Sequence, residues 1–286
     1  METNEVIYWN KFENKINKLY NSDCKSLQVI SDFDWTLTYI KDKKTNETIP
    51  GIISILYNKW YLSKEYSKKA KDLENIYIPI ERNEEIPLEI RKEKMIEWRW
   101  RHEELLINSW LKKVHIDSVI NSNIIQFRNW YDKFFQLLNE KNIPITIFSA
   151  SWLGTYAISW FLKKSNINFN NIYIISNEFI RDENWNAISR KTPLITSLNK
   201  DETMVSIQIF PEIYKNTKDR KNVILLWNNI RDADMLKDGD DNLVLRIWFL
   251  LDNNPIKIEA FKQIFDVILI GDWWMNEVLD IFSKFG

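Results

Sequence analysis

Cysteine, histidine and glycine are nearly missing from this chain. A single cysteine, Cys24, excludes an internal disulfide and points to a reducing compartment. Two histidines, His102 and His115, cannot build a closed structural zinc site with that one thiol. Five glycines in 286 residues leave few positions that reach positive φ cheaply, so tight functional turns are hard to build. No run of about 18 apolar residues occurs, and the charged N-terminal stretch lacks a signal-peptide core, which together imply a cytoplasmic chain without a membrane partner. The formal net charge of −1 supplies no global positive field to gather nucleic acid, whereas a small anionic substrate needs only a local positive pocket. Internal repeats and proline- or serine-rich linkers are also absent.

The apolar residues that are present fall into two periods. Val6, Ile7, Trp9, Phe12, Ile16 and Leu19 recur at a rough helical spacing and predict an amphipathic opening helix over residues 5–19. Leu27 to Ile30 is a short apolar run that stops at Ser31-Asp32, as a buried parallel strand does when it ends in a site-bearing loop. From Asp42 to Val119 the pattern is helical and heavily charged, with Pro79 and Pro87 marking a loop between helices. Strands are then expected at Pro144–Phe148, Ile172–Ser176, Val223–Leu226 and Val267–Ile270. Helices are expected at Phe127–Asn139, Trp152–Lys164 and Asn276–Phe282. This alternation predicts a doubly wound α/β sheet, with residues 1–42 and 125–286 forming a Rossmann-like core and 43–124 an inserted helical cap.

Ser31-Asp32-Phe33-Asp34-Trp35-Thr36-Leu37-Thr38 carries the chemistry. Side chains on extended backbone repeat every second residue, so Asp32 and Asp34 can face one pocket. Phosphate-ester hydrolysis needs two such carboxylates, one to attack phosphorus and one to protonate the leaving alkoxide and later activate water. A bare Asp-x-Asp is more often a solvated turn or a helix cap; the apolar strand before it and Thr36-Leu37-Thr38 after it favour the catalytic reading.

The stretch resembles the first motif of the haloacid dehalogenase superfamily, Asp-x-Asp-x-Thr. More narrowly it resembles the cytosolic pyrimidine 5'-nucleotidases, a family that includes the 7-methylguanosine-monophosphate nucleotidases. The likeness runs from Leu27 to Phe282. It implies hydrolysis of a nucleoside monophosphate with Mg2+ as cofactor, through an aspartyl-phosphate intermediate. Asp32 is then the nucleophile and first metal ligand, and Asp34 the acid/base with its backbone carbonyl on the metal. The likeness further places Thr36, Ser149, Ala150 and Lys200 around the phosphate, Ser149-Ala150 standing for the second motif and Lys200 for the neutralising lysine. Ser151 follows where the family has glycine. In the fourth motif the family reads Gly-Asp-Ser-x-Gly-Asp and this chain reads Trp227-Asn228-Asn229-Ile230-Arg231-Asp232, so Asn228 replaces a metal carboxylate and Asp232 alone survives. A neutral amide is a poorer partner for a hard dication.

Glu97 and Trp98 fall in the segment that recognises the base in that family. Trp98 and Trp100 sit two apart on a helix and point apart, so one can stack on a base while the other enters the core. Arg99 to His102 is flanked by Glu97, Glu103 and Glu104 and reads as a solvated face, with His102 at the surface. Gly271-Asp272 reads as a structural turn. Three functional classes follow: an active nucleotidase, a binding protein without turnover, and a phosphotransferase using the same intermediate.

Overall fold

The computed structural model describes residues 5–9, 11–200, 210–228, 242–251, 253–262, 264–272 and 275–285. Its centre is strand β2 (Leu27–Ser31), buried at almost every position because neighbours cover both edges and both faces. Strands β3 (Ile145–Phe148) and β4 (Ile172–Ile175) extend the sheet on one side. On the other side lie β7 (Asn222–Trp227), β8 (Leu243–Leu250) and β9 (Val267–Ile270). All run parallel, and β1 (Glu5–Tyr8) closes the β9 edge antiparallel, giving the order β1-β9-β8-β7-β2-β3-β4. A separate hairpin pairs β5 (Phe179–Arg181) with β6 (Ala187–Arg190).

Alternation along β7 shows the double winding. Ile224 and Leu226 join the core cluster containing Phe12 and Leu19 of α1 (Phe12–Tyr20), Phe134 of α6 (Tyr131–Glu140), Ile158 of α7 (Gly154–Lys164) and Phe282 of α10 (Asn276–Ser283). Val223, Leu225 and Trp227 face the opposite cluster, which receives Ile213 of α8 (Pro211–Thr217) and Ile258 of α9 (Pro255–Phe261). Between β2 and β3 come α2 (Ile52–Asn58), α3 (Lys64–Arg82), α4 (Leu88–Asn108) and α5 (Lys113–Asn121). Ile52, Ile55 and Leu56 of α2 and Ile116 of α5 root this helical insertion in the first core cluster.

Four local expectations are corrected. Residues 5–8 form a strand, because the open edge of β9 pairs with Val6 and Ile7, and helical packing starts only at Phe12. Pro79 lies inside α3, and the break falls at residues 83–87. The lost amide bond of one proline is outweighed by packing of α3 on α4. Helix α6 starts at Tyr131, since Phe127 bridges Thr38 and the Arg128 N–H donates to the Leu37 carbonyl at 3.0 Å. Strands β1 and β8 and the hairpin stand outside the expected set, although Leu243 to Leu250 is itself a continuous apolar run broken only by Arg246.

Scarcity of glycine has a visible consequence. Trp60 (φ 55°) and Trp110 (φ 59°) hold the left-handed position after α2 and α4, where glycine is usual. The following amides still close the helix ends, Tyr61 onto Leu56 and Leu111 onto Leu106, both at 3.1 Å. Each such residue costs about 1–2 kcal/mol of backbone strain. Gly154 (φ 82°) cannot be replaced in this way: a Cβ there would lie 2.6 Å from the Asn177 carbonyl oxygen.

Candidate active site

Parallel strands place their carboxyl ends on one side of a sheet, and ligands bind where the winding direction changes. Here the ends of β2, β3 and β7 present Asp32, Ser149 and Asn228 to one cavity of about 850 Å³. The core contributes Asp32, Asp34, Ser149, Ser151, Lys200 and Asn228 to its wall, and the helical insertion contributes Ile53, Ile78, Met95, Trp98 and Arg99.

Lys200 donates to Asp32 Oδ1 at 2.8 Å. The lysine is almost fully buried, and its ammonium lies 5.1 Å from the centre of the Trp227 ring. Loop hydrogen bonds hold the segment that delivers it. Asn199 accepts from the Thr196 N–H at 2.7 Å and donates to the Leu194 carbonyl, while the Asn177 amide pairs with both backbone groups of Ile195.

Asp34 stands beside this pair. Burial, and then repulsion from Asp32, push its carboxyl up to about 7, against the Ile52 N–H bond and the Lys200 charge that favour ionisation. At neutral pH this group is poised between acid and base. Trp35 (φ 63°) turns the chain sharply after it, and the Trp35 indole N–H is tied to the Ile49 carbonyl at 2.7 Å. Fully buried Arg128 fixes the turn, donating to the carbonyls of Trp35 (2.8 Å) and Thr36 (2.6 Å) and to Asp272 Oδ1 (2.7 Å). Asp272 in turn accepts from the N–H groups of Ile40 and Lys41. Gly271-Asp272 is thus a structural turn, and it braces the loop that follows the two acids.

The remaining expected residues divide. Ser149 and Ala150 line the cavity, and the Ala150 N–H has no partner among the described residues. Thr36 is buried outside the wall and donates to Asn228 Oδ1 at 3.2 Å. Trp98 lines the cavity and stacks on Tyr77 with ring centres 5.8 Å apart. Glu97 is not in the wall: Tyr77, Lys94 and Arg101 engage its carboxylate at 2.8, 2.7 and 2.6 Å. Asp232 lies outside the described residues. Three expectations for the insertion are overturned. Trp100 is half exposed under the Arg190 guanidinium instead of entering the core. His102 is buried, hydrogen-bonded to the Tyr66 hydroxyl at 2.8 Å, and burial with the nearby Arg99 charge pushes it down to about 3. Arg99 is also buried and is not part of a solvated face.

Sequence reasoning missed Arg99 and Arg128. Arg99 and Glu103 are four apart on a helix, a pattern that usually marks a surface pair, and Arg128 carries no local signal. Among the described residues no three His, Cys, Asp or Glu side chains converge as a metal cluster. The donor set at the β2 end is instead one or two carboxylates with a neutral amide oxygen. That set suits a hard dication that keeps several waters and takes further oxygens from a phosphate.

Comparison with known proteins agrees with this geometry. The family profile described as "Pyrimidine 5'-nucleotidase (UMPH-1)" matches residues 36–285. A 7-methylguanosine phosphate-specific 5'-nucleotidase A of Xenopus laevis is 29% identical over 271 residues, covering 94% of this chain and 89% of that protein. The Homo sapiens 7-methylguanosine phosphate-specific 5'-nucleotidase is 30% identical over 257 residues, covering 89% and 82%. Among solved structures, cytosolic 5'-nucleotidase IIIB bound to cytidine superposes with a TM-score of 0.83 at 24% identity, over 98% of this chain and 92% of that one. A substrate-bound phosphoserine phosphatase shares the fold with a TM-score of 0.52 at 14% identity, over 89% and 96%. The core is therefore the haloacid-dehalogenase type of α/β fold, and the chain belongs to the pyrimidine 5'-nucleotidase (UMPH-1) family.

Proposed function

We propose that this chain hydrolyses nucleoside 5'-monophosphates, with Mg2+, through a phosphorylated Asp32. The observation that carries the reading is the buried contact of Lys200 with Asp32 in a cavity that also holds Asp34, whose carboxyl is poised near neutrality. Asp32 attacks phosphorus, the bond to the nucleoside 5'-oxygen breaks, and the Asp34 proton passes to that oxygen. Asp34, now a carboxylate, takes a proton from the water that attacks the aspartyl phosphate, which releases inorganic phosphate and restores both acids. Lys200, the Ser149 hydroxyl and the Ala150 N–H hold the phosphoryl oxygens. Asp32, the Asp34 carbonyl and Asn228 would hold the magnesium ion, with Asp232 as a further candidate. When bound, the ion offsets repulsion between the attacking carboxylate and the phosphate.

On the insertion side, Trp98 offers a face to the base. Glu97 acts from behind it: the hydrogen bond from Tyr77 fixes the ring on which Trp98 stacks. The solved relative is a cytosolic 5'-nucleotidase by name, which fits the reducing compartment read from the lone cysteine, and no described helix is long and apolar enough to cross a membrane. Purified protein with magnesium is expected to release phosphate from cytidine or 7-methylguanosine monophosphate, and Asp32→Asn to lose about 10⁴-fold. No release from any nucleoside monophosphate by the native chain sinks the reading.

Asn228 and Trp227, standing where the family has a metal carboxylate and a glycine, favour a second reading: a nucleotide-binding protein without turnover. Hydrolysis that disappears in Asp32→Asn eliminates it.

A further inference from the structure

We propose that Arg99 is a positioning residue for phosphate capture, reaching from helix α4 of the insertion to clasp the turn that carries Ser149. The inference rests on reading the cavity as a phosphate pocket.

The guanidinium is 1% exposed and its donors are committed in one plane. Nε–H donates to Glu103 Oε1 at 2.8 Å, Nη1 to the Ala150 carbonyl at 3.1 Å and Nη2 to the Ser151 carbonyl at 2.8 Å. The Trp152 ring covers one face of the group at 4.2 Å. Successive carbonyls point to opposite sides in extended backbone, so two of them on one cation define a turn. Within that turn the Ser151 N–H donates to Ser149 Oγ at 3.1 Å. The Ser149 hydroxyl thus has an acceptor lone pair occupied and its proton left to give, while the Ala150 N–H has no partner among the described residues. Both donors belong to the residues that line the cavity next to Asp32.

Stability does not account for this arrangement. Taking an Arg–Glu pair out of water costs about as much as its attraction returns, and apolar replacements of similar volume are often neutral or stabilising. Glu103 is itself imperfectly satisfied: its Oε2 has no hydrogen-bond partner, with Arg190 3.9 Å away. What the pair achieves is geometric. A planar fork holds two carbonyls in a fixed mutual geometry, which a compact, freely rotating ammonium does not impose. The turn also lacks glycine, since Ser151 occupies its third position. A tether from outside then sets what backbone permissiveness would otherwise allow. Because Arg99 sits on α4, the same contact couples the insertion to the phosphate turn.

The test is calorimetric titration of inorganic phosphate, in magnesium, into the native chain and Arg99→Lys, with steady-state kinetics alongside. Arg99→Lys is expected to bind inorganic phosphate about tenfold more weakly and to lose kcat in parallel, as charge-assisted hydrogen bonds are lost. Inhibition by the product nucleoside should stay within about twofold, since Trp98 keeps its stacking on Tyr77 and the variant removes none of its own ring contacts. Should the lysine variant fail to fold, Arg99→Met/Glu103→Leu removes both buried charges together and is expected to fold with the same loss of phosphate affinity. Native-like phosphate binding in the folded variant overturns the proposal, as does equal weakening of phosphate and nucleoside, which would signal general loosening. So does a native chain that binds no phosphate. If nucleotides are not hydrolysed by the native chain but Arg99→Lys still weakens phosphate binding, the nucleotidase reading fails and the role of Arg99 stands.

Discussion

Strands β2 and β7 lie side by side and parallel, with Ser31 opposite Leu226, yet their ends are built from opposite chemistry. The β2 end carries Asp32 and Asp34 in a loop whose carbonyls are gripped by buried Arg128, itself paired with Asp272. The β7 end carries a fully buried tryptophan and a neutral amide, with Trp227 backing the Lys200 ammonium. A side-chain hydrogen bond from Thr36 to Asn228 and the Asp32 N–H on the Leu226 carbonyl at 3.1 Å join the two ends. The difference teaches that, among the described residues, the core side of this pocket concentrates its negative charge on one strand end, and that the neighbouring end supplies shape and a neutral oxygen. Concentrated charge needs bracing, and the structure puts the bracing where the charge is.

Breaking the brace should have the largest effect. Arg128→Met leaves Asp272 partly buried without its cation and frees two loop carbonyls, so unfolding in denaturant should show a loss of about 3–5 kcal/mol. A loss under about 1 kcal/mol would mean that the β2 end holds itself. Next, in metal-free protein, Asp34 binds a proton more tightly when folded than when unfolded. Its contribution is fully present below the unfolded value of 3.8 and is lost as pH rises through about 7. Asp34→Asn should flatten that decline, by no more than roughly 4 kcal/mol at alkaline pH, and abolish turnover. An unchanged pH profile of the melting temperature would show that the charge crowding is absent.

Asn228→Asp makes the two ends alike. A second carboxylate for the cation should tighten magnesium and raise turnover about tenfold in a metal titration. No gain would mean that the neutral end is already sufficient. The smallest effect is expected from Thr36→Val, which cuts the side-chain link between the ends: about 1 kcal/mol of stability and a few-fold in magnesium affinity. If the Asn228→Asp gain is the same in both backgrounds, the two ends act independently.

The strand ends were legible because their signals are local. An apolar run that stops at Ser31-Asp32, Ser149 or Asn228 states where buried backbone meets a site, and β2, β3 and β7 end at those residues or the residue before. Edge pairing was not legible: residues 5–8 take a strand because β9 offers an open edge far away in sequence. Pro79 shows the same override, a local breaker absorbed by helix packing. Arg99, Arg128 and His102 were read as polar surface or passed over, since burial of a polar side chain depends on partners 36 to 144 residues away.

By itself, then, the sequence determined strands β2, β3, β4, β7 and β9, the acids at the end of β2 and the neutral amide of Asn228 at the end of β7, all properties of neighbouring residues and their periodicity. Tertiary structure alone decided which side chains share the cavity, that Asp34 is pushed toward neutrality, and that buried arginines from two different regions hold the turns bearing the acids and Ser149. Solvation and Coulomb forces depend on distance in space, and chain order does not record it.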